Sequence, residues 1–326
     1  MNCGILAVGA YSPEKILTNN DLAKIVDTSD EWIVTRTGIK ERRISQDHQA
    51  ASDLAYESTI NALKDSDIQA EDIDAIFVAT CSQDMIFPST ACILQAKINN
   101  TKAVCMDIQA ACAGFSYGIV TGYNYFLSGM YKKILVVGTD LLSKFVNWED
   151  RTTCVLFGDG AGSVILGEVP NGYGILGADL GSDGRQTELL YIPAGGTRKL
   201  PTPKTLKDKE HTIKMKGAEI FKFAVKNMGE SMRRAIERAG IDKSEIDLFI
   251  PHQANLRIID TLAKFFELPR EKVYVTVDRF GNTSAASIPM ALAEAKKQGL
   301  VQRGKVIAMT AFGAGLTWGS VILRWY

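Results

Sequence analysis

The chain has 326 residues, 46% of them apolar, and its 37 basic residues balance 37 acidic ones to a formal net charge of +0. Such a composition is that of a globular chain with material for a large core or two domains; it lacks the basic excess of a duplex-binding face, so nucleic acid is not an expected partner. No run of 18 or more apolar residues suggests a membrane span, and six cysteines without a Cys-x-x-Cys pair, with only three histidines, make a metal site unexpected.

Residues 1–10 lack the basic-then-apolar pattern of a secretion signal, so a reducing cytoplasm is the expected compartment. Asp30-Glu-Trp-Ile-Val-Thr-Arg-Thr-Gly-Ile-Lys-Glu-Arg-Arg43 follows, with Trp32 and Arg36 on one face if it is helical. An indole ring beside a guanidinium suits a nucleotide, the ring on the base and the cation on phosphate. A partly buried Trp with an ion-paired Arg is the other reading. Ala51–Lys64 has a helical pattern. Residues 75–80 and 103–108 are short apolar runs of the kind strands buried on both faces show.

The second of these runs leads into Met106-Asp-Ile-Gln-Ala-Ala-Cys-Ala-Gly-Phe-Ser-Tyr117, where a helical pattern starts at Ala113. Cys112 is therefore expected on a tight turn at a helix N-terminus, where the dipole and free N–H groups favour the nucleophilic thiolate. A buried structural cysteine is the alternative. Further strand-like runs lie at residues 134–138 and 163–166, with Gly158-Asp-Gly-Ala-Gly162 between them read as packing glycines. Val169-Pro170-Asn171-Gly172 marks the expected boundary of two halves, 1–170 and 171–326. The stretch 181–214, rich in Gly, Pro and charge, reads as a long surface excursion, part of it mobile.

A helix is expected over residues 221–239. His252 then stands in Phe249-Ile-Pro-His-Gln-Ala-Asn255, just past a strand end, where ligands of α/β folds gather; a hydrogen-bonded structural histidine is the alternative. Asn282, in Asp278-Arg-Phe-Gly-Asn-Thr-Ser-Ala-Ala-Ser287, reads by default as a turn or cap residue. After a run at 305–311, Phe312-Gly-Ala-Gly-Leu-Thr-Trp-Gly319 is a glycine-rich loop without the Lys-Ser/Thr ending of a phosphate loop. It could aim backbone amides at a developing oxyanion, or be a tight strand connection. The last run is 320–323.

The two parts of the chain echo one another. Glu57-Ser58, Ala62-Leu63, Ile68 and Ile73-Asp74 match Glu230-Ser231, Ala235-Ile236, Ile241 and Ile246-Asp247 at one constant offset. Gly162-Ser-Val-Ile-Leu166 recurs letter for letter as Gly319-Ser-Val-Ile-Leu323. Repetition in the same order implies two copies of one α/β unit.

Taken together, Glu31-Trp-Ile-Val-Thr-Arg-Thr-Gly-Ile39, Ala111-Cys-Ala-Gly-Phe115, Pro251-His-Gln-Ala-Asn255, Gly281-Asn-Thr-Ser-Ala285 and the closing glycine-rich loop give a specific likeness over the whole chain. It resembles the β-ketoacyl-acyl-carrier-protein synthase III family, the initiating condensing enzymes of bacterial type II fatty acid synthesis. The resemblance implies an α/β, thiolase-like fold of two pseudo-repeated halves in five layers (αβαβα), and a homodimer. It implies a catalytic Cys112, His252 and Asn282, with backbone N–H groups of Cys112 and Ala314 as oxyanion donors. Ala314 departs from the third glycine of many relatives, a change a backbone donor would tolerate. The resemblance further implies that Trp32, Arg36 and Arg151 bind coenzyme A, and that Phe87 bounds the partner's acyl pocket. Lys222, Arg257 and Lys264 would form a basic rim for the carrier protein. Acyl-CoA and malonyl-acyl-carrier-protein are the implied substrates; no metal or redox cofactor is implied. Residues 198–214 are longer and more charged than the family leads one to expect and receive no role.

Two other readings compete. Polyketide or quinolone condensing enzymes share the triad, and only substrate profiling separates them; a hydroxymethylglutaryl-CoA synthase would need a catalytic Glu, for which no motif is present. A non-enzymatic acyl-binding protein with a dead site sits poorly with an intact Cys, His and Asn.

Overall fold

Strand runs and helical patterns alternate along the chain because each strand buries both faces and each helix covers one. The computed structural model describes residues 2–326. Its first main sheet comes from β1 (Asn2–Tyr11), β2 (Ala75–Ala79), β3 (Val104–Ile108), β4 (Ile134–Leu141) and β5 (Asp159–Val169), in the order β1-β5-β4-β2-β3. Its second comes from β6 (Gly174–Ser182), β7 (Leu248–Pro251), β8 (Val306–Gly313) and β9 (Thr317–Arg324), in the order β7-β8-β9-β6. The principal helices are α1 (Asp30–Thr37), α2 (Ala51–Lys64), α3 (Thr90–Lys97), α4 (Gly114–Leu127), α5 (Gly217–Ala239), α6 (Leu256–Phe265) and α7 (Ser287–Lys297).

The sheets correspond strand for strand: β1 with β6, β5 with β9, β4 with β8, β2 with β7. Only β3 lacks a full counterpart, its place in the second sheet being held by a single parallel bridge from Phe249 to Val273. Helices α2 and α3 cover the outer face of the first sheet, α5 covers that of the second, with α6 packed beside it, and α4 and α7 lie between the two sheets. The result is five layers. All main-sheet strands up to Val169 belong to one sheet and all those from Gly174 to the other, while Lys15–Thr18 and Glu41–Ile44 pair in a small sheet of their own. This supports the proposed division into halves 1–170 and 171–326.

The repeated pentapeptide has a packing reason. A Cβ on Gly162 would lie 2.7 Å from the backbone of Met290, in α7, and one on Gly319 would lie 2.9 Å from Cβ of Ser116, in α4. Each half's central helix is thus seated on the other half's glycine, and neither tolerates a side chain there.

The expected elements are present, several with longer bounds: the run at 163–166 is the middle of β5, and the helix begins at Gly217 rather than residue 221, whereas the runs at 75–80 and 103–108 each lose one residue. The stretch 181–214 is largely at the surface, as its composition implies, yet it has structure of its own. Leu190–Tyr191 pairs with Lys214–Met215, Pro203–Lys207 is a short helix, and Lys199 holds Glu210 at 2.5 Å. Leu189 and Ile213 anchor it by joining the core.

Candidate active site

β3 carries the chain to a turn at which Ala111 has a φ of 43°, a left-handed conformation rare for a residue with a side chain. Residues Ala111–Ala113 form one 3₁₀ turn that runs straight into α4. This presents Cys112 at a helix N-terminus, as its sequence setting implies. Close packing fixes it there: a Cβ on Gly313 would stand 2.6 Å from the Cys112 nitrogen.

Two loops of the second half close over it. His252 follows β7, and its Nδ1 lies 2.6 Å from the Ser287 hydroxyl, which leaves Nε2 for the cavity. Asn282 Oδ1 accepts the Ser284 N–H at 2.9 Å, which leaves its NH₂ group. Ser284, at a φ of 52°, donates its hydroxyl to Cys112 Sγ at 3.3 Å. Cys112, His252 and Asn282 are 7%, 4% and 7% exposed and line one cavity of about 560 Å³.

The exposed rim of that cavity carries Arg36, Arg151, Lys222 and Arg257, with Trp32 half-buried beside them. Trp32 and Arg36 do share a face of α1. The Arg36 and Arg151 guanidiniums sit 4.4 Å and 5.2 Å from the Trp32 ring centroid, and Arg151 is held by the Asp27 carbonyl at 2.9 Å. The opening therefore joins an aromatic surface to two cations, which suits an anionic, base-bearing ligand. Asn255 positions α1 by donating to the Arg36 carbonyl at 3.1 Å. The cavity's remaining wall is apolar, with Phe157, Phe221, Met228 and Phe312 among its lining.

The structure does not gather every expected site residue here. Lys264 lies on α6 outside the cavity lining, Ala314 sits one residue beyond the lining Gly313, and Phe87 is 81% exposed. Sequence reasoning also missed Ser284 and Ser287. Their hydroxyls matter because of a backbone turn and a helix start that place them, and serines in a Gly-Asn-Thr-Ser run read as caps.

Burial works against the expected thiolate. Burial pushes the Cys112 thiol up to about 12, Asp140 adds to the rise, and the Ser284 hydroxyl and the thiol's own backbone N–H only partly oppose it. Burial takes His252 down to about 4, so at neutral pH the imidazole is uncharged. A neutral thiol, a neutral imidazole and a free amide together can accept an acyl group and then hydrogen-bond a developing oxyanion. Among the described residues no group of three or more His, Cys, Asp or Glu side chains is arranged to hold a metal ion, and no helix is long and apolar enough to cross a membrane.

Comparison with known proteins places the chain in a family. The models for the 3-oxoacyl-[acyl-carrier-protein] synthase III domain and its C-terminal domain match residues 106–184 and 236–325. A β-ketoacyl-[acyl-carrier-protein] synthase III of Caldanaerobacter subterraneus is 53% identical over 99% of this chain and 97% of its own. The chain belongs to the β-ketoacyl-[acyl-carrier-protein] synthase III family. A synthase III of Bacillus pumilus is 52% identical over 100% of this chain and 99% of its own. The crystal structure of synthase III from Aquifex aeolicus superimposes with a TM-score of 0.92 at 46% identity, covering 99% of this chain and 100% of that one. A priming β-ketosynthase of a polyketide pathway is a more distant neighbour at 30% identity. The fold is thus thiolase-like, as the resemblance implied.

One consequence of the buried thiol is testable without substrate. Because its pKa lies far above neutrality, the thiolate fraction grows with every pH unit across the accessible range. Alkylation of Cys112 by iodoacetamide, followed by peptide mapping from pH 6 to 10, should accelerate throughout and faster in wild type than in Ser284→Ala. A plateau near pH 7 would show a thiolate already formed.

Proposed function

We propose that this cavity carries out the condensation of a short acyl-CoA, acetyl-CoA being the natural first choice, with malonyl-acyl-carrier-protein. The products are a 3-oxoacyl-acyl-carrier-protein, coenzyme A and carbon dioxide, a step that initiates fatty acid synthesis. The observation that carries this reading is the convergence of Cys112 with His252 and Asn282 at the closed end of a cavity whose mouth is aromatic and cationic. The two parts suit the two ends of an acyl-CoA.

In the first half-reaction Cys112 sulfur attacks the thioester carbonyl, its S–H proton ends on the departing coenzyme A sulfur, and the acyl group stays on Cys112. Trp32, Arg36 and Arg151 hold the nucleotide end. The N–H groups of Cys112 and Ala314 receive the oxyanion. In the second, loss of carbon dioxide from the malonyl thioester puts negative charge on its carbonyl oxygen. His252 Nε2–H and the Asn282 NH₂ donate to that oxygen; the Ser287 hydroxyl, donating to Nδ1, selects the tautomer that allows it. The carbanion then attacks the acyl carbonyl and Cys112 departs. Acyl-CoA is a substrate here, and no separate cofactor enters the scheme.

The reading extends to a homodimer in the cytoplasm. β3 is an unpaired sheet edge with no fully buried residue, and nearby Met85, Ile86 and Phe87 are 49%, 79% and 81% exposed. A free edge beside bare apolar side chains supports pairing with a second copy, Phe87 then reaching the partner's acyl pocket.

Measuring acetyl transfer and malonyl decarboxylation separately tests the assignment. His252→Ala and Asn282→Ala should each lose decarboxylation by about 100- to 1000-fold and still accept an acyl group. Cys112→Ser should lose acylation, and Trp32→Ala should raise only the KM for acyl-CoA. If Asn282→Ala decarboxylates at the wild-type rate, Asn282 is a turn residue and the triad is wrong. Sedimentation should give twice the 35.6 kDa chain mass; a fully active monomer would contradict the dimer.

A further inference from the structure

Arg151, one of the cations at the cavity mouth, sits on a segment with neither helix nor strand: residues 146–156 are turns and bends alone. Side chains of the segment shape its backbone. Asn147 Oδ1 accepts the Glu149 N–H at 3.2 Å, and Asp150 Oδ1 accepts the Thr152 N–H at 3.0 Å. On one side the Asp27 carbonyl and carboxylate accept from the Arg151 guanidinium at 2.9 Å and 3.3 Å. From the other side comes Lys209, out of the surface stretch that follows β6. Its Nζ donates to the same Asn147 Oδ1 at 3.3 Å and is ion-paired with Glu149. One ammonium group thus clips together two residues of the turn, immediately before Arg151.

Lys209 is set in place by a folded excursion rather than a loose loop. The helix Pro203–Lys207 starts at a capping box of Thr202 and Thr205. The chain leaves it through Lys209 at a φ of 53°, a left-handed conformation that a lysine seldom adopts. The Glu210 N–H closes that turn on the Thr205 carbonyl at 2.9 Å, and the Ala194 N–H donates to the Glu210 carbonyl at 3.0 Å. A little further on, Ile213 is buried, and its N–H donates to the Phe145 carbonyl at 2.8 Å, at the threshold of the segment that carries Arg151. The Lys209 and Glu149 side chains are 37% and 78% exposed, and a pair so open to water adds little to the stability of the fold. Its effect is local: it restricts where the turn sits, and with it the guanidinium at the end of that turn.

We propose that Lys209 is a positioning residue for acyl-CoA, acting through Asn147 and Glu149 to fix the Arg151 turn, and that residues 194–214 are the splint that carries it. This rests on the function proposed above and deepens it. The contact with the ligand remains that of Arg151. With the turn already ordered, binding the nucleotide end loses less conformational freedom. A donor without the nucleotide never meets Arg151 and gains nothing from the clip.

Two measurements test this: coenzyme A affinity by titration calorimetry, and steady-state acetyl transfer from acetyl-CoA compared with acetyl-pantetheine, which lacks the nucleotide. Lys209→Ala should weaken coenzyme A binding and raise the KM for acetyl-CoA about three- to tenfold, the range for losing one charge-assisted contact at an exposed site. The kcat with acetyl-CoA and the kcat/KM with acetyl-pantetheine should keep their wild-type values. Lys209→Arg, which retains the charge and the reach, should recover most of the affinity and serves as the folding control. Adding Lys209→Ala to Arg151→Ala should cause no further loss, because the clip works only through that guanidinium. Unchanged affinity and KM in Lys209→Ala overturn the inference while leaving the functional reading intact. An equal loss with acetyl-pantetheine overturns it too, as the mark of a collapsed excursion, and so do additive losses in the double variant. If the wild-type protein neither binds coenzyme A nor takes an acetyl group from it, the functional reading falls and this inference with it.

Discussion

Everything in the site hangs on one seam, where residues 281–286 of the second half are pressed against the ends of the first half's strands. The Asn282 N–H donates to the Leu156 carbonyl at 2.8 Å, and its carbonyl accepts the Gly158 N–H at 3.1 Å. Ala285 donates to the buried Asp140 carboxylate at 3.3 Å. The approach is so close that a Cβ on Gly138 would lie 2.2 Å from the Ala285 carbonyl oxygen. Backbone held this tightly has no room to drift, and it carries Asn282 and Ser284 to Cys112. Preorganised donors of this kind cost nothing to align at the moment of reaction.

The same seam separates two thiols that a coarse view would treat alike. Ser284 Oγ is 3.3 Å from Cys112 Sγ and 3.9 Å from Cys81 Sγ. Cys81, however, donates its own S–H to Asp140 at 3.4 Å, and burial and that carboxylate hold its pKa well above the ordinary range. Asp140 also gathers Thr80, Ser82 and the Cys81 N–H, so it is a structural acceptor that ties the end of β2 to the seam. Cys112 alone of the two combines a helix start with a place in the cavity wall.

Much of this was legible in the sequence because it depends on local pattern. The apolar runs marked six of the nine main-sheet strands, and the pentapeptide repeat anticipated the paired glycines at 162 and 319. Small residues before a helical pattern placed Cys112 on its turn, and the four-residue spacing of Trp32 and Arg36 placed them on one face. What the sequence could not convey depends on distance across the fold. Burial that only the assembled halves create opposes the thiolate that the helix terminus favours at Cys112. Ser287 reaches His252 across 35 positions, and Ser284 reaches Cys112 across 172.

The central claim is that the seam makes a nucleophile of Cys112 and leaves its neighbour inert. The most direct measurement is peptide mapping by mass spectrometry after brief incubation with acetyl-CoA. The account requires one acetyl group on Cys112 and none on Cys81. Acetyl on Cys81 with Cys112 unmodified, or no label on either thiol, would contradict it.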